Sequence, residues 1–310
     1  MHNSLTLLLG VIAAGMGGEL FVRGSVRLAE WARIPAGIVG ATIAAFATSS
    51  PEFAVSVSAA LAGAPQISLG DALGSNVVNV ALILALALLI SSMQAPRDSI
   101  KRDFPVALLV PVLLAILAFD GMLSRLDGIM LLVVFFTWLT ATVLEARRQR
   151  SAAEKVLGEP RPGLALLYSL AGLALLVMAA QLIVTGAKGI ALSFGLGEFV
   201  IGATVVAVGT SIPELATTVI SQLRGHQEIG LGTVIGSNIF NGLWIVAVAA
   251  ILSPITVHWQ ELIVGLGFGA ITMALIFPAR DGLIGRWRGA LLLALYMVYL
   301  STILTRPVSH

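Results

Sequence analysis

Ala45-Phe46-Ala47-Thr48-Ser49-Ser50-Pro51-Glu52 is a polar, proline-containing knot in an otherwise apolar run, and it returns 162 residues later as Ala207-Val208-Gly209-Thr210-Ser211-Ile212-Pro213-Glu214. The same offset carries Gly74-Ser75-Asn76-Val77-Val78-Asn79 onto Gly236-Ser237-Asn238-Ile239-Phe240-Asn241. From Ile38 to Asn79 the two copies align without a gap, with about 19 of 42 positions identical. Drift within apolar sequence does not hold two carboxylates and their hydroxyl and amide neighbours in phase, so half of the chain is a duplicate of the other.

The setting of the knots is a membrane. The 310 residues are 58% hydrophobic and 11% charged, with a mean hydropathy of +0.99, whereas a soluble domain carries about 25% charged residues. Ten apolar spans are expected near 5–28, 36–62, 70–92, 103–120, 125–147, 163–187, 198–223, 229–252, 259–278 and 284–304. Each is close to the roughly 20 residues that a helix needs to cross the hydrocarbon core, and only helices satisfy their own backbone there short of a closed barrel. The expected fold is an all-α membrane protein of ten transmembrane helices, built as two five-helix repeats: residues 1–148, a linker at 149–162, and residues 163–310. A cleaved signal peptide is the other reading of the first span. Its amino end lacks the Lys or Arg of a signal n-region, and the duplication pairs Leu20 with Leu182 and Gly24 with Gly186.

Five spans per repeat is an odd number, so the second repeat enters the membrane inverted. Helices two and seven are expected to be broken at their prolines. With the amino terminus outside, 15 of the 18 Lys and Arg residues fall on the inner side. That places both termini outside and the linker in the cytoplasm, in a multi-pass protein of the inner membrane. No cysteine is present for a disulfide or thiolate metal site, and no basic face supports nucleic-acid binding. The lipid bilayer is the one large partner implied, and no protein partner is.

A carboxylate at mid-membrane costs roughly 2.5–3.5 kcal/mol even on the lenient insertion scale. Two of them at matching places, Glu52 and Glu214, therefore call for a compensating cation. Each lies in the first turn after a break, where the helix dipole favours an anion. Ser49 and Ser56 share a face with Glu52, as Ser211 and Thr218 do with Glu214. Ser75 and Asn79, and Ser237 and Asn241, are four residues apart on one side of their spans. The breaks are expected to leave the carbonyls of Ala45–Ala47 and Ala207–Gly209 short of helical partners. An all-oxygen set suits calcium, sodium or magnesium and not zinc or copper. Gly40, Gly70, Gly74, Gly202, Gly232 and Gly236 read as packing residues. Glu19 has Gln181 as its counterpart and a structural or access role. Asp71, the counterpart of Thr233, reads as an interfacial helix cap, and His226 and His258 as loop residues outside the chemistry.

The paired knots and the two Gly-Ser-Asn-x-x-Asn segments resemble the calcium/cation antiporter superfamily, in its sodium/calcium exchanger branch and among its prokaryotic members, along essentially the whole chain. The resemblance implies a secondary antiporter that exchanges calcium for sodium by alternating access. Spans one and six would slide against the rest, and no cofactor beyond the transported ions is needed. It also implies the ion ligands: Glu52 and Glu214 at the centre with Asn79 and Asn241, and Thr48, Ser49, Thr210, Ser211, Ser75 and Ser237 around them. The carbonyls of Ala45 and Ala207 would contribute as well. Asn76 and Asn238 read as helix-to-helix structure. Ala47 stands where the pattern prefers Gly, and Asn241 where several relatives carry Asp, which argues against potassium dependence. A proton- or other-cation-coupled exchanger is the alternative. An intramembrane serine hydrolase would need a base beside Ser49 or Ser211, and a scaffold gives the duplicated glutamates no role; the chain does not read as an enzyme.

Overall fold

The computed structural model describes residues 2–63, 65–152, 162–193, 207–257 and 259–304. The linker from 153 to 161, the first part of span seven up to residue 206, and His258 lie outside these. The described chain is helical. Helix α1 is His2–Ala32, α2 is Ala36–Thr48 and α3 is Ser50–Leu61. Helix α4 covers 65–90, α5 is Arg97–Leu117 and α6 is Arg125–Ala152. In the second half, α7 is Pro162–Ser193, α8 is Ala207–Thr210, α9 is Ile212–Leu223 and α10 is Gln227–Leu252, followed by α11 (Trp259–Leu275) and α12 (Arg286–Leu304). Helix α6 runs four residues past the expected end of the first repeat, because nothing in Gln149–Ala152 breaks a helix.

Four described helices are long and apolar enough to cross a membrane, or five if the bent pair α2 and α3 is one span. The large apolar side chains Leu126, Ile129, Met130, Val133 and Phe136 of α6 point outward, a surface that hydrocarbon would cover and water would not.

Helix α1 stops where Arg33 takes φ 56°, an uncommon conformation for a side chain with a Cβ, and Pro35 forbids a restart before it. Between α2 and α3 the axis turns by 43°. Pro51 has no N–H to give the carbonyl four residues back, and Ser49 leaves helical geometry at φ −83°, ψ 11°. Ser211, its counterpart, does the same at φ −85°, ψ 9°.

Two local features were not expected. Residues Gly40–Ala44, Val78–Leu84 and Phe240–Ile245 form π-helical turns, and the last two sit at matching places in the repeats. Four two-residue strands also form in an otherwise helical chain. Strand β1 (Met93–Gln94) pairs with β4 (Leu283–Ile284), and β2 (Met122–Leu123) with β3 (Ile255–Thr256), both antiparallel. Each ribbon joins one half to the other. Gly121 and Gly282 make the turns into β2 and β4 with φ 86° and 83°, a region that glycine enters without strain.

Most of the core is one apolar cluster contributed by α3–α6 and α9–α12. Helices α1 and α7 instead pack on each other, and with Ala44 and Ala216 they form a small separate cluster around Phe21 and Leu176. Their backbones touch at glycines: a Cβ at Gly17 would meet Leu176 N at 2.9 Å and Gly172 O at 3.0 Å.

Candidate cation site

Helices α3 and α9 carry Glu52 and Glu214 in the interior, 1% and 0% exposed, each in the first turn of its helix. Each accepts a hydroxyl from the opposite repeat. The Ser49 hydroxyl donates to Glu214 Oε1 at 2.9 Å, and the Ser211 hydroxyl to Glu52 Oε1 at 3.3 Å. Spacing had put Ser49 on the face of Glu52. The bend at Ser49 swings its hydroxyl out of that register and toward the other half. Ser237 adds a second donor to Glu214 Oε1 at 3.3 Å.

Helices α4 and α10 cross beside the carboxylates, fastened by side chains that bond the opposite backbone. Asn76 Nδ2 donates to Asn238 O at 3.2 Å, and Asn238 Nδ2 to Asn76 O at 3.1 Å. This is the helix-to-helix role the sequence assigns to both. Asn238 Oδ1 also accepts from Asn79 Nδ2 at 3.0 Å. The amide of Asn79 is thereby oriented with its oxygen free of that bond. Asn79 and Asn241 are each the second residue of a π-turn, a local widening that is frequent at functional sites and that no pattern of residue types announces.

A set of oxygens is left over. Glu52 Oε2, Glu214 Oε2, Ser75 Oγ, Asn79 Oδ1 and Asn241 Oδ1 are buried with no hydrogen-bond partner among the described residues. Burying a polar atom without a partner costs about 1–3 kcal/mol, and a charged oxygen costs more. No group of three or more His, Cys, Asp or Glu able to hold a metal forms among the described residues, so neutral oxygens must complete any coordination shell. Two negative charges with hydroxyl and amide oxygens can hold one divalent hard cation or smaller monovalent ones.

The backbone contribution differs from expectation. The Ala45 carbonyl is not bare: it accepts from Ser49 N at 3.0 Å and from the Thr48 hydroxyl at 3.3 Å. Ser50 Oγ donates to the Ala47 carbonyl at 2.8 Å. Hydroxyls thus cap the carbonyls that the proline strands. Ala207 opens α8, and Thr210 is buried at 7% exposure.

Several other residues find definite places. Glu19 bonds Arg23 Nε at 2.5 Å and Arg224 at 2.8 and 2.9 Å, linking α1 to the end of α9 and away from the two glutamates. Asp71 is not a cap; it lies at the seventh residue of α4. His226 precedes α10 as its N-cap residue. Asp103, unremarked in the sequence, is 1% exposed and held by Arg102 at 2.7 and 2.9 Å and by Trp138 Nε1 at 2.9 Å. With all of its partners in α5 and α6, it is a structural carboxylate.

Comparison with known proteins places this arrangement. Residues 2–144 and 164–305 match the sodium/calcium exchanger protein family. The inner membrane protein YrbG of Escherichia coli is 35% identical over 257 residues, spanning 80% of this chain and 79% of that one. The sodium/calcium exchanger MaX1 of Methanosarcina acetivorans is 32% identical over 344 residues, covering 96% and 97%. A solved structure of the sodium-calcium exchanger NCX_Mj, soaked with sodium and calcium, superimposes with a TM-score of 0.84 at 33% identity over 99% of both chains.

Proposed function

The chain belongs to the sodium/calcium exchanger protein family, whose relatives are transporters and not enzymes, and on that footing we propose that it exchanges calcium for sodium across the membrane in which it sits. Ten transmembrane helices in two inverted repeats alternately expose one midplane site, with helices two and seven broken around it. Glu52 and Glu214 are the shared ligands, joined by Asn79 and Asn241. Thr48, Ser49, Ser75, Thr210, Ser211 and Ser237, with the carbonyl of Ala207, line the flanking positions, and the Ala45 carbonyl joins them when the Thr48 hydroxyl turns from it to an ion. Both termini face outward and the linker faces the cytoplasm of the inner membrane.

The observation that carries this reading is a set of buried, unpartnered oxygens drawn from both halves, two of them on carboxylates that each accept a hydroxyl from the opposite half. A cation repays their desolvation, and exchange follows if one site is filled by calcium or by sodium but never left empty while it crosses. Alternating access has a mechanical basis in the separate packing of α1 and α7. Two helices fastened to each other, with their own apolar cluster outside the main core, can move as one piece against α9 and α2.

The test is radioactive calcium uptake into proteoliposomes loaded with sodium, against an equimolar potassium control, with Glu214→Gln alongside. Uptake that needs the sodium gradient and vanishes in the variant is expected. Uptake driven by an imposed pH gradient and not by sodium would replace the coupling ion. Folded protein that moves calcium under neither gradient would end calcium as the substrate.

A further inference from the structure

The two halves of the site are not equivalent at their rim. Helices α3 and α4 follow one another closely, with Gly63 just past the end of α3, and their register is set by Ser68 Oγ donating to Ser56 O at 2.7 Å. One helical turn back from Ser56 is Glu52, and one turn on from Ser68 is Asp71. At 1.5 Å per residue the two carboxylates reach nearly the same level. Asp71 is also the first of a row on α4: Asp71, Ser75 and Asn79 recur every four residues along one side. Each contributes a buried oxygen without a partner, Oδ2, Oγ and Oδ1 in turn. Ser75 and Asn79 are 0% and 1% exposed, whereas Asp71 keeps part of its surface open. The row therefore leads from the rim to the interior.

The second half repeats the row without its outer charge: Thr233, Ser237 and Asn241 keep the four-residue spacing. Thr233 stands at the matching place, 0% exposed, and its hydroxyl donates to Ile229 O at 2.8 Å within its own helix. It carries no charge, and its hydroxyl proton is spent within its own helix.

From this asymmetry we infer that Asp71 is a cation-capture ligand at the rim, serving entry from the membrane face nearer Gly63 and passing the ion along Ser75 and Asn79. The inference rests on the cation-exchange reading of Glu52 and Glu214. It adds a third carboxylate to the route but not to the closed site, and it makes the two faces of a duplicated protein unequal. Attraction scales with the charge of the ion, so Asp71 favours a divalent cation over sodium at this entrance.

The experiment uses the full chain in proteoliposomes of uniform orientation, with sodium/calcium exchange measured from each face for wild type, Asp71→Asn and Asp71→Thr. The threonine variant installs the residue already tolerated at the counterpart. On the Gly63 face both variants should raise the calcium KM roughly three- to tenfold, and the sodium KM by only about the square root of that factor. Maximal rate on both faces, and KM on the opposite face, should stay within about twofold of wild type. The gap from wild type should shrink as ionic strength rises. An unchanged KM, an equal rise on both faces, or a fall in maximal rate at constant KM would each overturn the capture role. Wild type that exchanges no calcium for sodium would remove the functional reading and the capture role together, and that outcome is distinct because it arises before any variant is compared.

Discussion

Gly236→Ala adds one methyl group where two helices meet backbone to backbone. A Cβ at Gly236 would lie 2.7 Å from both Ala41 C and Ala41 Cα, and closer still to Ala41 O. Ordinary carbon contacts begin at about 3.5 Å, so α10 must retreat from α2 by roughly 0.8 Å. The obstacle is backbone inside the π-turn Gly40–Ala44, which cannot rotate aside as a side-chain tip would. Gly to Ala in a helix gains up to about 1 kcal/mol, and overpacking costs about 1–3 kcal/mol. With rigid backbone the upper end applies, for a net destabilisation of about 1–2 kcal/mol. Ser237 is the next residue, and its hydroxyl, already 3.3 Å from Glu214, has little slack for any shift of α10 before it passes hydrogen-bonding distance. Gly267→Ala in α11 is the control, because a Cβ there meets nothing within 4 Å and the propensity gain should stand alone. Thermal unfolding of the solubilised chain should rank Gly267→Ala at or above wild type and Gly236→Ala below it. Sodium-driven calcium uptake should fall only in Gly236→Ala. A Gly236→Ala protein that melts with wild type and transports normally would refute the close-approach argument.

Glu214→Gln removes a buried charge and keeps an acceptor for Ser49. The ion-free protein should melt no lower than wild type, since an uncompensated buried charge is costly, while calcium should cease to raise the melting temperature. Asp103→Asn takes the partner from Arg102, only 13% exposed. It should cost about 3–5 kcal/mol in stability, read as a fall in folded yield and melting temperature, with calcium KM unchanged in whatever folds. Glu19→Gln loosens a partly exposed ion pair between α1 and α9. It should shift stability by no more than about 1 kcal/mol and leave calcium-dependent stabilisation intact; its loss would bring Glu19 into the site.

Much of this molecule is legible in one dimension. Pro51 and Pro213 mark the chain breaks, and Ser49 and Ser211 leave helical geometry at nearly identical angles. The 162-residue offset foretells reciprocal contacts, because two copies of one sequence that pack together offer each other the same groups. The oxygen-only character of the site follows from residue types alone. What the sequence conceals is which groups are spent on the fold. The Ala45 carbonyl is occupied by Ser49 N and Thr48, Asn79 is steered by Asn238, and Asp71 projects from mid-helix at the rim instead of capping an end.

The sequence by itself determined the duplication, the membrane setting, the positions of the breaks and the residues that share a helical face. Each of these depends on local chemistry or on a period of a few residues. Only the tertiary structure decided that Ser49 serves Glu214 and Ser211 serves Glu52, that ribbons tie each half to the other, and that α1 packs with α7 apart from the main core. Helical periodicity says which way a side chain points from its own axis. What it points at depends on how segments far apart in the chain pack, and there a bend of 43° at one serine exchanges one glutamate for the other.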